Sequence, residues 1–380
     1  MPIYKVDKIK NNEGLQKYRV RVNYNDELGH KKKLTRVAYG IDAAKDMERR
    51  LEFQIKTEHE MPVKKMTLQE LFNDYIETKK FEVRETTLDK SKRIINYYIL
   101  PILKDVYIDK LTVTVLKKWK LSMEKRKLSV VTKNNVYTEL RAMLNYAVRM
   151  EYIQKHQLNK VGNFKDILSR KKEMNFYTPE EFKKFIKVAK NQAQFKEKNN
   201  NSLYEWNFYV FFNIAFYTGL RKGEIHALRW TDVDGNYLKV TKSISQKLKK
   251  GDTETPPKNK SSIRTIQIPL PLIDILQEHK KRQQINPQYS EDSRILGDGR
   301  CIWDTTLEER NKYYAKLAGV KKIRIHDFRH SHASLLVNMG INIQQVAKRL
   351  GHTKVEITWN TYSHLYPREE ERAIEILNAV

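Results

Sequence analysis

Between Phe208 and Tyr217 the chain is apolar at every position except Asn213. A helix of that composition has no polar face to turn to water, so it must be surrounded on all sides. The run is too short to cross a bilayer, so a protein core has to be built around it. A helix is predicted over about 204–218, ended by Gly219, which sets Leu220-Arg221-Lys222-Gly223-Glu224 at a helix junction.

Charge narrows the partners of such a core. Lys plus Arg number 73 and Asp plus Glu 46, a net charge of +27. That balance fits a nucleic-acid partner better than a membrane or a small neutral substrate, although a merely basic protein would share it. Aromatic residues make up 10% of the chain, which separates it from a disordered basic tail. Cys301 is the single cysteine, so an intrachain disulfide and a cysteine-based zinc site are excluded. The first residues carry charges where a signal peptide needs an apolar run, and a cytoplasmic protein with no membrane association is expected.

Three domains are read from the order of patterns. In 1–60, Tyr18, Val20, Val22 and Tyr24 alternate with Arg19, Arg21 and Asn23, and Lys31, Lys32, Lys33 and Arg36 mark a second basic strand. A helix from about Asp42 would pack Ala43, Met47, Leu51 and Ile55 on this sheet. A basic sheet backed by a helix can enter a DNA groove, and it can equally be a solvated surface. After a connector with Pro62, residues 66–157 read as four helices. The first is capped by Thr67 and Glu70, and the second stops before Pro101. The third spans about Val113–Glu124 and the fourth about Val131–Val148. The fourth offers Lys133, Asn134, Asn135 and Arg141 on a basic side. Residues 158–176 read as a second, lysine-rich connector. The last domain, 174–380, opens at Thr178-Pro179-Glu180-Glu181, an N-cap with proline at the first helical position. It reads as mainly helical, with strands at Tyr237–Ser245 and Arg264–Ile268 joined by a polar turn over Lys247–Ser262. Its end, from Glu369, carries Ala373, Ile376, Leu377 and Val380 on one side of a short amphipathic helix. The fold expected is multidomain: a small α+β basic sheet, an all-α four-helix unit, and a mainly α domain with a small antiparallel sheet.

The chemistry concentrates in this last domain. Arg221 and Arg329 stand at helix ends beside glycine-marked turns, and two guanidiniums can hold a phosphate and stabilise its pentacoordinate state. His326 and His352 can position or move protons. Tyr362 is one of 21 tyrosines and can act as a nucleophile if positive charge lowers its cost of ionisation. Lys258 and Lys260 lie in the turn between strands, where a lysine could protonate a leaving oxygen. Each residue alone has a plainer explanation: a surface charge, a satisfied structural histidine, a packed tyrosine. His326 and His330 also stand four apart, the spacing of a metal-binding pair in H-E-x-x-H, but the second position is Asp327 rather than glutamate, no third ligand is evident, and an adjoining arginine would repel a dication.

Taken together, four segments resemble the signature boxes of the tyrosine recombinases, the phage-integrase family. They are Thr218-Gly219-Leu220-Arg221-Lys222-Gly223-Glu224, His326-Asp327-Phe328-Arg329-His330-Ser331, Leu350-Gly351-His352 and Thr361-Tyr362-Ser363-His364-Leu365. The helical domain resembles the family's core-site-binding domain. The basic sheet resembles the arm-site-binding domain of integrases from temperate phages and conjugative transposons of Gram-positive bacteria. Trp359 departs from the pattern, where a smaller apolar residue such as leucine is expected.

The resemblance implies a mechanism. Tyr362 attacks the scissile phosphate to form a 3′-phosphotyrosyl bond, while Arg221 and Arg329 hold the phosphate. His326 and His352 fill the two histidine positions, and Glu224 orients the site. Lys258 is the general acid, with Lys260 the competing alignment. Neither ATP nor metal is needed. The implied partners are double-stranded DNA with core and arm sites, three further copies of the chain in a tetramer that passes through a Holliday junction, an excisionase and DNA-bending host proteins. The C-terminal helix would pack on a neighbouring protomer. Integration and excision of a mobile element is the function so implied. A chromosome-dimer-resolving recombinase, a non-catalytic DNA-binding relative and a metallopeptidase are the alternatives. The basic sheet argues against the first of these, and the intact set of site residues against the second.

Overall fold

In the computed structural model the chain divides into two units, Met1–Ser169 and Arg170–Val380. The structure describes residues 3–10, 14–25, 31–59, 65–166, 174–200, 202–246, 253–255, 260–297, 300–363, 374 and 377–378, with the backbone alone at 7–10, 25, 54–59 and 260.

The first unit begins with three antiparallel strands in the order β1 (Ile3–Lys10), β2 (Gln16–Asn25), β3 (Lys31–Tyr39), followed by α1 (Ile41–His59). Val20, Ala38, Ala44 and Leu51 are buried between sheet and helix. Ala44, not the predicted Ala43, faces the sheet, since it shares a helix face with Met47 and Leu51 at i, i+3 and i+7. Strand register sorts the basic residues. Arg21 pairs with Thr35 and Asn23 with Lys33, so Arg19, Arg21, Lys31 and Lys33 share the face away from α1. Lys32 and Arg36 pair with Tyr24 and Val20 and therefore fall on the other face, a division that the run of basic residues conceals. Arg21 also lies over the Tyr4 ring, 5.6 Å from its centroid.

The helices of this unit are α2 (Leu68–Glu82), α3 (Glu85–Ile94), α4 (Leu100–Leu103), α5 (Val113–Glu124), α6 (Val130–Arg149) and α7 (Leu158–Val161). Thr67 and Glu70 form the expected capping box on α2. The second helix does not stop before Pro101. It passes through a π turn, Ile95–Ile99, and continues as α4. The turn sends the Leu100 N–H back to Ile95 O, so Pro101 enters at the start of a fresh α segment, where a missing N–H costs nothing. Trp119, Val136, Leu140, Met143 and Leu144 are fully buried at the centre. Lys133 is not part of a free basic side: it is buried and paired with Glu124, while Asn134 bonds both the N–H and the carbonyl of Phe164. Phe164 and Leu158, within the stretch read as connector, pack into this core. The basic run at 170–172 lies outside the described residues.

The second unit is built around α9 (Trp206–Thr218), where every side chain but Tyr217 is buried. α8 (Pro179–Asn200) stacks Phe182 on Phe216 at 3.7 Å, and Phe185 and Phe212 meet edge to face at 5.0 Å. Each such ring contributes about 1.5–3 kcal/mol on burial, which is why an all-apolar helix can anchor the unit. The polar Asn213 is satisfied inside the helix by Tyr209 O at 2.8 Å. After α10 (Lys222–Ala227) come β4 (Val233–Asp234), β5 (Tyr237–Val240), β6 (Ser243–Ser245), β7 (Thr253–Thr255) and β8 (Arg264–Gln267). They form two sheets, β4-β5-β8 and β6-β7. The predicted strand 237–245 therefore splits, since Leu238 and Val240 face the main core whereas Ile244 packs on Ala227 and Cys301. β7 lies inside the stretch read only as a turn. The remaining helices are α11 (Leu270–Gln283), α12 (Asp304–Ala318), α13 (Asp327–Asn338), α14 (Ile343–Leu350) and α15 (Val355–Tyr362). Of the predicted C-terminal helix only Ile374, Leu377 and Asn378 are described, and Ile374 and Leu377 are exposed; Ala373, Ile376 and Val380 lie outside the described residues. Among the described residues no helix is long and apolar enough to cross a membrane.

Candidate active site

The site starts where α9 ends. Gly219 takes a left-handed conformation, φ 65°, and a Cβ there would stand 2.6 Å from His332 and 2.9 Å from Leu350. The turn thus lets α13 and α14 close on α9. Its carbonyl accepts from Arg329 Nη1 at 2.8 Å. Two residues on, Arg221 is the N-cap of α10, and Glu224 reaches back to its backbone N–H at 3.0 Å and its Nη1 at 2.8 Å. The predicted arginine and carboxylate are therefore one capping device. Arg221 Nη2 is 3.5 Å from Gly351 O, too long to commit it, so this half-exposed guanidinium keeps donors for a ligand.

Glu224 is buried and holds a second arginine that the sequence did not single out. Arg264, at the start of β8, donates Nη2 to Glu224 at 2.9 Å, Nε to Arg349 O at 2.8 Å and Nη1 to Ser262 O at 3.0 Å. It ties the first signature box to the strand hairpin and to the turn before His352. Burial pushes the Glu224 carboxyl up, but Arg264 and Arg221 outweigh it and hold it below the usual carboxylate range.

Arg329, on the first turn of α13, is buried and donates to Leu350 O at 2.8 Å and His352 Nε2 at 2.7 Å besides Gly219 O. Burial first, then Arg221, lowers its pKa from the ordinary value, while Glu224 opposes. A guanidinium keeps its proton under such pressure, so the pocket stores a demand for an anion. His352 follows Gly351, which is also left-handed at φ 69°. Because Arg329 can only donate, His352 Nε2 accepts, and its Nδ1–H donates to Thr358 Oγ1 at 2.7 Å. Burial and then Arg329 push its pKa down to about 4, so it is neutral at physiological pH. His326 stands at the N-cap position of α13 without a side-chain cap bond, edge-on to His330 with ring centroids 5.2 Å apart. The partial burial of its ring, then His330 and Arg329, lower its pKa.

Tyr362 ends α15 and is 1% exposed among Ala333, Val337, Val346 and Leu350. Its Oη lies 2.7 Å from His330 Nδ1. Burial pushes its pKa up to about 12 against the pull of Arg329. Trp359 stands half exposed on the same helix. Behind the site, His332 receives Arg349 Nε at 3.0 Å and bonds Phe216 O at 2.8 Å, clamping α13 and α14 to α9.

The structure thus pairs Arg221 with Glu224 and Arg329 with His352 by direct hydrogen bonds; Arg329 anchors its pair to the Gly219 turn and Leu350, and Arg221 reaches towards Gly351, with Tyr362 and His326 alongside. Lys258 lies outside the described residues. Lys260 opens a turn, Lys260–Ser262, whose Ser261 Oγ is 3.2 Å from Thr353 Oγ1, next to His352. The metal-like spacing of His326 and His330 is accounted for differently, since His330 Nδ1 is engaged by Tyr362. Among the described residues no three His, Cys, Asp or Glu side chains gather as a metal would require.

Residues 175–369 match the family model of the phage integrase family, and residues 67–123 match that of the phage integrase N-terminal SAM-like domain. The chain belongs to the phage integrase family. It is a site-specific DNA recombinase with a tyrosine-recombinase catalytic domain. The ICEBs1 integrase of Bacillus subtilis (strain 168) is 28% identical over 383 residues, covering 98% of this chain and 99% of that relative. Among solved structures, the Tn1549 transposon integrase in complex with a circular intermediate DNA has a TM-score of 0.65 at 20% identity, covering 83% of this chain and all of that one. A lambda integrase tetramer bound to a Holliday junction has a TM-score of 0.55 at 15% identity, covering 95% and 94%.

Proposed function

We propose that Tyr362 is the nucleophile of this recombinase and that it breaks and rejoins DNA at the ends of an integrating element. The Tyr362 oxygen attacks the phosphate held by Arg221 and Arg329, a 3′-phosphotyrosyl bond forms, and the 5′ oxygen leaves. Glu224 orients both Arg221 and the neighbouring Arg264. His352 positions Arg329 against the phosphate, and His326 stands at the phosphoryl oxygens. Lys258, or Lys260 in the same turn, protonates the departing 5′ oxygen. The bond energy is kept in the ester, so neither ATP nor metal enters. Residues 1–60 bind arm sites, residues 66–157 bind the core site, and residues 174–380 carry the chemistry. Four copies act on two duplexes in the cytoplasm, aided by an excisionase and DNA-bending host proteins.

The observation that carries this reading is the pair of hydrogen-bonded groups Arg264–Glu224–Arg221 and Arg329–His352 beside one buried tyrosine. A set of cations with a single buried carboxylate is built to receive an anion.

Strand exchange tests the reading. Full-length protein is mixed with a supercoiled plasmid bearing the joined ends of the DNA that carries its gene and with a duplex of the chromosomal target. Recombinant product is expected without nucleotide or metal. A chain lacking residues 1–60 is expected to lose distal arm-site binding at least tenfold while cleaving core sites at the full-length rate. Equal loss at both sites would refute the division of labour.

A further inference from the structure

Nothing in the assignment above removes the proton from Tyr362. With a pKa pushed up to about 12, roughly one hydroxyl in 10⁵ is ionised at neutral pH. The cations of the site stabilise the phosphorane but do not accept a proton.

The group in contact with that hydroxyl is His330, one helical position past Arg329. Its Nδ1 stands 2.7 Å from Tyr362 Oη. On the far side of the ring, Nε2 faces Asp327 Oδ1 at 4.0 Å. Asp327 is 1% exposed and fixed by Arg324, which donates Nε at 3.1 Å and Nη2 at 2.9 Å as well as its backbone N–H at 2.9 Å. The charged and titratable neighbours of His330 are thus Asp327, Arg324, Arg329 and His326, and from α15 Tyr362 itself. The residues packed on Tyr362 from α13 and α14 are apolar. Burial is the main cause lowering the His330 pKa, opposed by Asp327, so the ring is neutral near pH 7. In the tautomer that turns its N–H towards the Asp327 carboxylate, on Nε2, the ring presents Nδ1 as a lone pair to the tyrosine hydroxyl.

We infer that His330 is the general base for Tyr362, oriented by Asp327, in an Asp327–His330–Tyr362 relay separate from the phosphate-binding cations. As the Oη–P bond forms, the Oη proton moves to Nδ1. The P–O5′ bond breaks with its electron pair on the 5′ oxygen, which takes a proton from the acid assigned above. The imidazolium is held by Asp327 until rejoining, when the 5′ hydroxyl attacks and His330 returns its proton to the departing tyrosine oxygen. The relay rests on Tyr362 as nucleophile.

A substrate that needs no leaving-group acid isolates this step. The probe is a nicked duplex from the DNA flanking the gene, with sulfur replacing the bridging 5′ oxygen at the cleaved phosphate, so that a thiolate departs unprotonated. Single-turnover adduct formation is measured from pH 6 to 9.5 for wild-type protein, His330→Asn and Tyr362→Phe. Asn can accept the tyrosine hydrogen bond but cannot take its proton. Wild-type protein should be nearly flat above pH 7. His330→Asn should bind DNA normally, cleave about 10²- to 10³-fold more slowly at pH 7, and regain close to tenfold per pH unit as hydroxide replaces the base. His330→Gln serves the same comparison if the Asn variant melts early. Rates within threefold of wild type at every pH, or a deficit of constant size across the range, would overturn the inference and leave Tyr362 as nucleophile untouched. No adduct with wild-type protein across candidate sites, or an adduct that survives Tyr362→Phe, would overturn the nucleophile assignment and the relay with it.

Discussion

Arg329→Ala lowers the single-turnover rate of strand cleavage by about 10³- to 10⁵-fold, the range over which an arginine at a transferring phosphoryl group acts. Two effects combine. The guanidinium is a buried cation at the phosphate, and its charge meets the phosphorane where water cannot screen it. It is also a structural hub, donating to Gly219 O, Leu350 O and His352 Nε2. Alanine leaves two carbonyls and a ring nitrogen without donors, at about 1–3 kcal/mol for each buried group, so the melting temperature falls as well. Arg329→Lys separates the two. A lysine keeps the charge but cannot span three acceptors, so stability should recover in part while cleavage stays at least about 10²-fold down. Gel shifts at fixed salt should show core-site affinity within a few-fold for both. A lysine variant that cleaves at the wild-type rate would remove the need for a planar fork.

Glu224→Ala is the largest stability change expected from a single site residue. Glu224 is 4% exposed and serves the backbone and guanidinium of Arg221 as well as Arg264, whose own side chain is 6% exposed. Removing the carboxylate strands Arg264 in a low-dielectric pocket, which costs about 3–5 kcal/mol. Glu224→Gln retains acceptor and shape and loses the charge, so it should fall between wild type and alanine. The pH dependence has a definite sign. The Glu224 carboxyl is held below the ordinary carboxylate range, so the ion pair contributes in full at neutral pH and its contribution disappears as pH falls through the folded-state value. Urea unfolding of the three proteins at pH 7 and at pH 4 tests both points. The gap between wild type and Glu224→Ala should narrow at the lower pH; a gap that stays constant or widens would contradict the account.

The parts of this molecule that show in its sequence are those whose signal is local. α9 is visible because thirteen residues, Trp206–Thr218, with no polar face admit a single environment. Arg221 and Glu224 are visible because a cap and its N3 carboxylate stand three residues apart, and helix α5 has the predicted limits. The parts that escape notice depend on distant residues. Arg264 is one of 73 basic residues and becomes special only because it meets Glu224 and Arg349 in space. His332 and Arg349 form their clamp across seventeen residues. His330 suggests a metal pair by spacing, yet its partner is Tyr362, 32 residues away. Pro101 reads as a helix stop because a π turn leaves no pattern in the sequence. The buried Lys133 reads as a surface charge because its partner Glu124 sits on the preceding helix.

The central claim is that Tyr362 forms the covalent bond to DNA. The direct measurement is capture on a nicked duplex from the flank of the gene, in EDTA, followed by denaturation and protein–DNA separation. An SDS-resistant adduct is expected with wild-type protein, attached through a peptide containing Tyr362, and no adduct with a Tyr362→Phe chain that still shifts the same duplex. An adduct that persists in Tyr362→Phe would move the nucleophile to another residue, and failure to form any adduct on bound DNA across several candidate sites would contradict the assignment of this site to strand cleavage.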